Sequence, residues 1–126
     1  MKEVVRTDKA PAAVGPYSAG IKAGDYVFVS GQGPLDPQTK KMPEGIEAQT
    51  KQTLENVKAI VQAAGASMAD VVKVTVLLTD MGNFKAMNEA YKEYFPEPFP
   101  ARATYGASLA LPGMLIEIEA IAYVGK

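Results

Sequence analysis

The clearest strand pattern in the chain is Ile116-Glu117-Ile118-Glu119-Ala120-Ile121-Ala122, close to the C-terminus. Apolar residues alternate with polar ones throughout this stretch, which is the pattern of a strand with one face against a core. Pro100-Ala101-Arg102 comes shortly before it and begins another strand, over about residues 102–109. We expect this strand and the last one, at about 115–123, to meet across Pro112-Gly113.

Turn and helix signals divide the rest of the chain into six further elements. They are predicted as strands at Val4-Val5, 19–22 and 26–31, a helix at 46–64, a strand at 71–78, and a helix that begins near Asp80 or Asn83 and ends before Pro96. The element order is therefore βββαβαββ. The predicted fold class is α+β, with two helices on one face of a mixed sheet. The 126 residues and the hydrophobic content of 48% fit one domain, residues 1–126.

The predicted strands carry apolar residues on both sides. In one of them, Val72, Val74 and Val76 alternate with Leu77. Two helices can cover only one face of the sheet, so the other face should pack against a second copy of the chain. We therefore predict a homo-oligomer. The alternative is that loops such as 32–45 cover this face.

Composition excludes several classes of function. The net charge is −1 with both signs interspersed, so the chain lacks the cationic stripe that nucleic acids attract. The N-terminus has no signal-peptide pattern, and no stretch reaches the roughly 18 apolar residues of a membrane span, which predicts a cytoplasmic protein without membrane contact. The chain contains no cysteine and no histidine. Its chemistry must therefore depend on carboxylates, hydroxyls, Tyr, Arg, Lys and backbone groups.

Arg102 and Glu117 are the residues that elementary chemistry singles out. A guanidinium binds a planar carboxylate with two parallel hydrogen bonds, and a nearby glutamate can hold a water against the bound molecule. An arginine beside Glu117 would also favour the charged form of this carboxylate. The pair predicts hydrolysis of a small acid. The alternatives are that Arg102 is a surface ion-pair partner and that Glu117 and Glu119 are the solvated polar face of a strand.

Several longer stretches carry a resemblance to a known family, and they run nearly from end to end. They are Ala10-Pro11-Ala12-Ala13-Val14-Gly15-Pro16-Tyr17-Ser18, Val29-Ser30-Gly31-Gln32, Gln49-Thr50-Lys51-Gln52-Thr53-Leu54-Glu55-Asn56-Val57-Lys58, Met87-Asn88, Pro100-Ala101-Arg102 and the final alternating strand. In this order the chain resembles the RidA/YjgF family of enamine/imine deaminases. The resemblance implies a chorismate-mutase-like fold and a homotrimer with pockets between subunits.

The resemblance also implies an activity: hydrolysis of 2-aminoacrylate, 2-iminopropanoate and 2-iminobutanoate, released by pyridoxal-phosphate enzymes, to 2-oxo acids and ammonia, without a cofactor or metal. Arg102 would bind the substrate carboxylate, Glu117 would hold the attacking water, and the backbone at Thr104 would face the reacting nitrogen. The other pocket residues would be Tyr17, Ser30, Gly31 and Asn88.

The chain departs from the family pattern after Arg102, where residues 103–112 lack the usual alternation of valine and acidic residues. This departure leaves the preferred imine open. Two other functions also remain open at this point. One is an endoribonuclease or translation inhibitor, an activity ascribed to some members of the family, which the lack of histidine and of a basic face disfavours. The other is a non-catalytic module or chaperone that binds small acids.

Overall fold

A computed structural model describes residues 1–125 and contains six strands and two helices in the predicted order. The strands are β1 Lys2–Val5, β2 Gly20–Ala23, β3 Tyr26–Gln32, β4 Val71–Leu78, β5 Ala101–Gly106 and β6 Ile116–Tyr123. The helices are α1 Ile46–Ala63 and α2 Phe84–Tyr91, and short 3-10 turns occupy Met68–Asp70, Met81–Asn83 and Lys92–Tyr94. No helix within residues 1–125 is long and apolar enough to cross a membrane.

The strands form one sheet in the order β1-β2-β3-β6-β4-β5. β4 and β5 are parallel, and the other neighbours are antiparallel, so the sheet is mixed as predicted. The predicted pairing of the last two strands is wrong. α2 is the crossover that a parallel β4–β5 pair requires, and β6 then pairs with the opposite edge of β4. β5 also ends at Gly106 rather than at residue 109.

The hydrophobic core lies between the sheet and the two helices. The buried face of α1 includes Leu54, Val57, Ile60 and Val61, and it packs against alternate residues of the central strands. From the strands, the core receives Val27, Val29, Val74, Val76, Leu78, Ile116 and Ile118. Side chains return to the same face every two residues on a strand and about every 3.6 residues on α1, so these residues meet in one layer. Both helices therefore lie on the same face of the sheet, as the sequence predicts.

The opposite face of the sheet, which we call the open face, is not covered by helices. Among its residues, Tyr26 and Phe28 are 45% and 43% exposed, and the Tyr26 and Tyr123 rings lie 5.1 Å apart between centroids. Loop 32–45 does not cover this face, because Asn56 and Gln49 hold it against α1 through hydrogen bonds to the carbonyls of Gly33, Leu35 and Pro43.

One residue lies on the face opposite to its predicted one. The β4–β6 register shifts between Val71 and Lys73, so Val72 is the extra residue of a bulge. Val71 is buried in the core, whereas Val72 is 45% exposed. The prediction that Val72 shares a face with Val74 and Val76 is therefore wrong. Beyond the bulge, Val74 and Val76 face the core as expected.

Candidate functional site

Arg102 lies on the edge strand β5, on the same side of the sheet as the helices. Its neighbour across the parallel ladder is the buried Val74. The guanidinium carbon is 4.8 Å from the ring centroid of Tyr91 and 5.6 Å from that of Phe84, both on α2. Such distances allow cation–π attraction. The two rings of α2 therefore hold the guanidinium, while β5 fixes its backbone.

The basic partners of the ion pairs within residues 1–125 are Lys51 and Lys92. The alternative that Arg102 serves as an intrachain ion-pair partner is thus not found among these residues. Arg102 lines a cavity of about 350 Å³ together with Asn88, Glu89, Tyr91, Lys92, Phe99 and Pro100. An unpaired guanidinium in a pocket with aromatic walls suits a carboxylate ligand.

Three polar atoms in this region are buried without a hydrogen-bond partner in the described chain: Asn88 Oδ1, Tyr91 Oη and Thr104 Oγ1. Asn88 and Tyr91 are one turn apart on α2, and Thr104 is two residues beyond Arg102 on the same side of β5. Burial raises the pKa of Tyr91 to about 12, although the charge of Arg102 opposes the shift. The phenol therefore stays neutral and can donate. Buried polar groups are nearly always paired, so these three atoms are available to hydrogen-bond a bound molecule or water.

Glu117 lies on the central strand β6 and faces the open side of the sheet. It pairs with Leu77 of β4 and is half-buried. Gly31 of β3 is in close contact with it, since a Cβ at this position would lie 2.5 Å from Glu117 Oε2. The β3–β6 register is irregular between Val29 and Gln32, so Ser30 and Gly31 form a bulge beside the carboxylate. Bulges of this kind are frequent next to active sites.

Ser30 connects this bulge to the segment that carries Tyr17. Its hydroxyl donates to the carbonyl of Ser18, and its backbone N–H donates to the carbonyl of Ala19 at 2.9 Å. Tyr17 is half exposed and lines a neighbouring cleft of about 680 Å³ with residues of the N-terminal segment. Ser30, Gly31 and Glu117 therefore lie together, and Tyr17 is linked to them through the adjacent Ser18.

The pKa of Glu117 is raised, first by burial and second by the negative charge of Glu119 on the same strand face. The two glutamates share the open face, as predicted, because they alternate along β6 with the buried Ile116, Ile118 and Ala120. Arg102 is not a cause of this shift within one chain, so its effect on the charged form of Glu117 stays a prediction. A carboxylate with a raised pKa is the stronger proton acceptor when ionised, which suits a base that acts on water.

The two groups of predicted residues lie on opposite faces of the sheet. Arg102 and Thr104 pair with Val74 and Val76 on the helix side, whereas Glu117 shares its row with Leu77 on the open side. We call Asn88, Tyr91, Arg102 and Thr104 the arginine half-site, and Ser30, Gly31 and Glu117 the glutamate half-site. One chain brings each group together but does not bring the two groups to each other.

Buried amides of α1 hold the loops that flank the glutamate half-site. Asn56 donates to the carbonyls of Gly33 and Leu35, just after Gly31, at 2.9 and 2.8 Å. Gln49 donates to the carbonyl of Gly113 and accepts from the N–H of Leu115 at 2.9 and 2.8 Å, two residues before Glu117. Both amides belong to the stretches that carry the family resemblance, but their role in holding these loops was missed. The available signal was the presence of polar residues at core positions of a helix.

The contacts of Phe84 and Tyr91 were missed as well, because both fit the apolar stripe of α2.

Among residues 1–125, no group of three or more His, Cys, Asp or Glu side chains could hold a metal ion.

Comparisons with known proteins establish the family of the chain. The family model described as Endoribonuclease L-PSP matches residues 7–124. A RutC family protein of Pyrococcus horikoshii is 55% identical over 124 residues, which is 98% of each chain. The chloroplastic Reactive Intermediate Deaminase A of Arabidopsis thaliana is 51% identical over 122 residues, which is 96% of this chain and 65% of that protein.

Solved structures share the fold over nearly its whole length. The crystal structure of RidA from the Antarctic bacterium Psychrobacter sp. PAMC 21119 has a TM-score of 0.93 and 47% identity, covering 97% of this chain and 99% of that one. The crystal structure of Escherichia coli TdcF with bound serine has a TM-score of 0.93 and 42% identity, with coverage of 98% and 99%. The predicted α+β fold is confirmed, and the chain belongs to the Endoribonuclease L-PSP family, which is the RidA/YjgF family that its sequence resembles.

Proposed function

We propose that this protein is a hydrolytic deaminase of 2-imino acids such as 2-iminopropanoate, the tautomer of 2-aminoacrylate, and 2-iminobutanoate. These imines are released by pyridoxal-phosphate enzymes, and the products would be 2-oxo acids and ammonia. The observation that carries the proposal is the Arg102 guanidinium, held by two rings in a cavity and without an ion-pair partner among residues 1–125. The deaminase names of relatives and the serine bound to TdcF support it.

In the proposed reaction, Arg102 binds the substrate carboxylate with both arms of its fork. Glu117 accepts a proton from a water molecule, whose oxygen forms a bond to the imine carbon. The imine nitrogen takes up a proton from solvent, which gives a carbinolamine. The proton on Glu117 then passes to the amine nitrogen, the carbon–nitrogen bond breaks and ammonia leaves. The hydroxyl group loses its proton to solvent as the carbonyl forms. The backbone at Thr104 would accept from the nitrogen and favour its protonated form. The imine is already an electrophile, so orientation and desolvation alone can supply the needed few kcal/mol, without a cofactor.

We further propose that a complete site forms between two copies of the chain in a homotrimer. The arginine and glutamate half-sites lie on opposite faces of one sheet, and the open face carries exposed aromatic rings that a second copy would cover. A glutamate half-site would then meet the arginine half-site of a neighbour. The number three rests on the resemblance. A cytoplasmic location fits a substrate that decays in water and must be met near the enzyme that releases it.

The test couples a serine or threonine dehydratase to a chemical trap for its imine. Adding the protein should reduce the trapped fraction, because hydrolysis competes with trapping. Arg102→Ala should abolish this reduction, since an unpaired substrate carboxylate would have to be desolvated. Arg6→Ala is the matched control, because Arg6 is the only other arginine and is exposed. A trapped fraction that wild-type protein leaves unchanged would refute the deaminase proposal.

A second candidate is RNA cleavage, which the description of the family model favours. The net charge of −1 and the lack of histidine disfavour it. Cleavage that co-purifies with the protein and survives Arg102→Ala would support it. A third candidate is a non-catalytic module for small acids. Tight binding of 2-oxo acids, measured by calorimetry, without hydrolysis of imines would favour this non-catalytic function.

A further inference from the structure

Phe99 is a large aromatic residue beside Arg102 that the proposed reaction does not use. Its side chain is 51% exposed, although it lines the same cavity as Asn88, Tyr91 and Arg102. Tyr91, by contrast, is buried in the core. Exposed rings of this size have a cost in water, and a ring at the rim of a cavity is placed to contact a bound molecule.

The cavity divides into a polar part and an apolar part. The polar groups are the guanidinium of Arg102, the unpaired atoms Asn88 Oδ1 and Tyr91 Oη, and the ion pair of Glu89 and Lys92. Phe99 and Pro100, together with the face of the Tyr91 ring, supply apolar surface. About 350 Å³ is more space than a carboxylate and one methyl group require.

The chemistry of a 2-imino acid fixes where its side chain must lie. The carboxylate and the side chain are both attached to the imine carbon, so a carboxylate on Arg102 places the side chain within the same cavity. The imine carbon must stay open to the water on the glutamate half-site. Among the walls that this chain supplies, the apolar part formed by Phe99 and Pro100 is the one that suits an apolar side chain.

We infer that Phe99 is a specificity-determining residue that favours 2-imino acids with apolar side chains larger than methyl. This inference rests on the proposed deaminase function and names the substrate class within it. Burying one methylene is worth about 0.8 kcal/mol, or about 4-fold in affinity at 25 °C. The three further carbons of a leucine-derived imine, partly buried against a half-exposed ring, would give a preference of about 10-fold over 2-iminopropanoate.

The test measures kcat/KM for two imines made in place from alanine and leucine by an amino-acid oxidase with catalase present. Wild-type protein should favour 4-methyl-2-iminopentanoate by about 10-fold. Phe99→Ala should reduce this preference to about 2-fold or less, and Phe99→Leu should be intermediate. Leu111→Ala should leave the preference unchanged, because Leu111 is exposed but does not line this cavity.

Three results would overturn the inference: no preference in wild-type protein, an equal loss on both imines in Phe99→Ala, or a changed oligomer size in that variant. The last would mean that Phe99 contacts another copy. If wild-type protein hydrolyses neither imine, the deaminase proposal fails instead. Calorimetry with pyruvate and 4-methyl-2-oxopentanoate then tests Phe99 independently, because a selective wall should still favour the larger acid, and equal affinities would refute its role.

Discussion

Replacing Gly31 with alanine tests the glutamate half-site most directly. A Cβ on Gly31 would lie 2.5 Å from Glu117 Oε2 and 2.9 Å from its Cδ. Ordinary contact begins at 3.4 Å, so the carboxylate oxygen would have to move by about 0.9 Å. The obstacle is the end of a flexible side chain, so the fold should accept the change at about 1 kcal/mol of off-rotamer strain.

The effect on catalysis should be much larger than the effect on stability. A misplacement of about 1 Å of a reacting group can cost about 100-fold in rate, which corresponds to about 2.7 kcal/mol of activation free energy. We expect Gly31→Ala to lower kcat for imine hydrolysis by about this factor. Substrate binding through Arg102 should change little, so KM should stay within about 3-fold.

The assay is imine trapping with urea unfolding of the same preparations. Gly24→Ala is the matched control: Gly24 has φ of +58° in the β2–β3 turn, and a methyl group added there would meet nothing within 4 Å. It should lose about 1 kcal/mol of stability through backbone strain and keep full activity. In a Glu117→Gln background, Gly31→Ala should lower kcat by less than about 3-fold. Full activity in folded Gly31→Ala, or an undiminished loss in that background, would show that Gly31 does not orient the carboxylate.

Three further changes test other parts of the structure. Arg102→Lys keeps the charge but loses the fork, so it should lower kcat/KM by about 10-fold or more, and unchanged kinetics would contradict the carboxylate role. Glu119→Gln removes one cause of the raised pKa of Glu117, so the acid limb of the kcat/KM profile should move to lower pH; a limb that stays in place would show that Glu119 does not act on the base. Gln49→Leu leaves three backbone groups unpaired and should lower the free energy of unfolding by about 3 kcal/mol in urea, whereas the exposed Gln62→Leu on the same helix should cost little.

The element order could be predicted from the sequence because it depends on local periodicity. The alternation of residues 116–122 and the helical spacing of residues 46–64 are each properties of one segment. The partner of β5 is not such a property. It depends on α2, which returns the chain parallel to β4, and on residues 107–115, which carry it to the opposite edge of that strand. A sequence pattern that identifies two strands does not show whether a third strand lies between them in the sheet.

The candidate site was predictable in its residue types and only partly in its arrangement. Arg102 and Glu117 stand out by their chemistry, and Gly31 and Asn88 by resemblance. Arg102 and Glu117 lie on opposite faces of the sheet because of the registers in which β5 and β6 pair with β4. No local sequence pattern predicts these registers. The rings that hold Arg102 were hidden for a related reason, since an aromatic residue on the apolar stripe of a helix is typical of core.

The strand order gives the two half-sites different surroundings, which fit the different roles that we propose for them. Glu117 lies on β6, which is bonded on both sides by β3 and β4, so its backbone is fixed and its carboxylate is oriented by the bulge at Gly31. Arg102 lies on β5, whose outer edge is free of strand partners in the described chain. An edge strand is where a second copy can approach. A fixed base on a central strand and a ligand-binding arginine on an edge would therefore be joined by assembly, and catalysis would require the oligomer even though each chain folds around its own core.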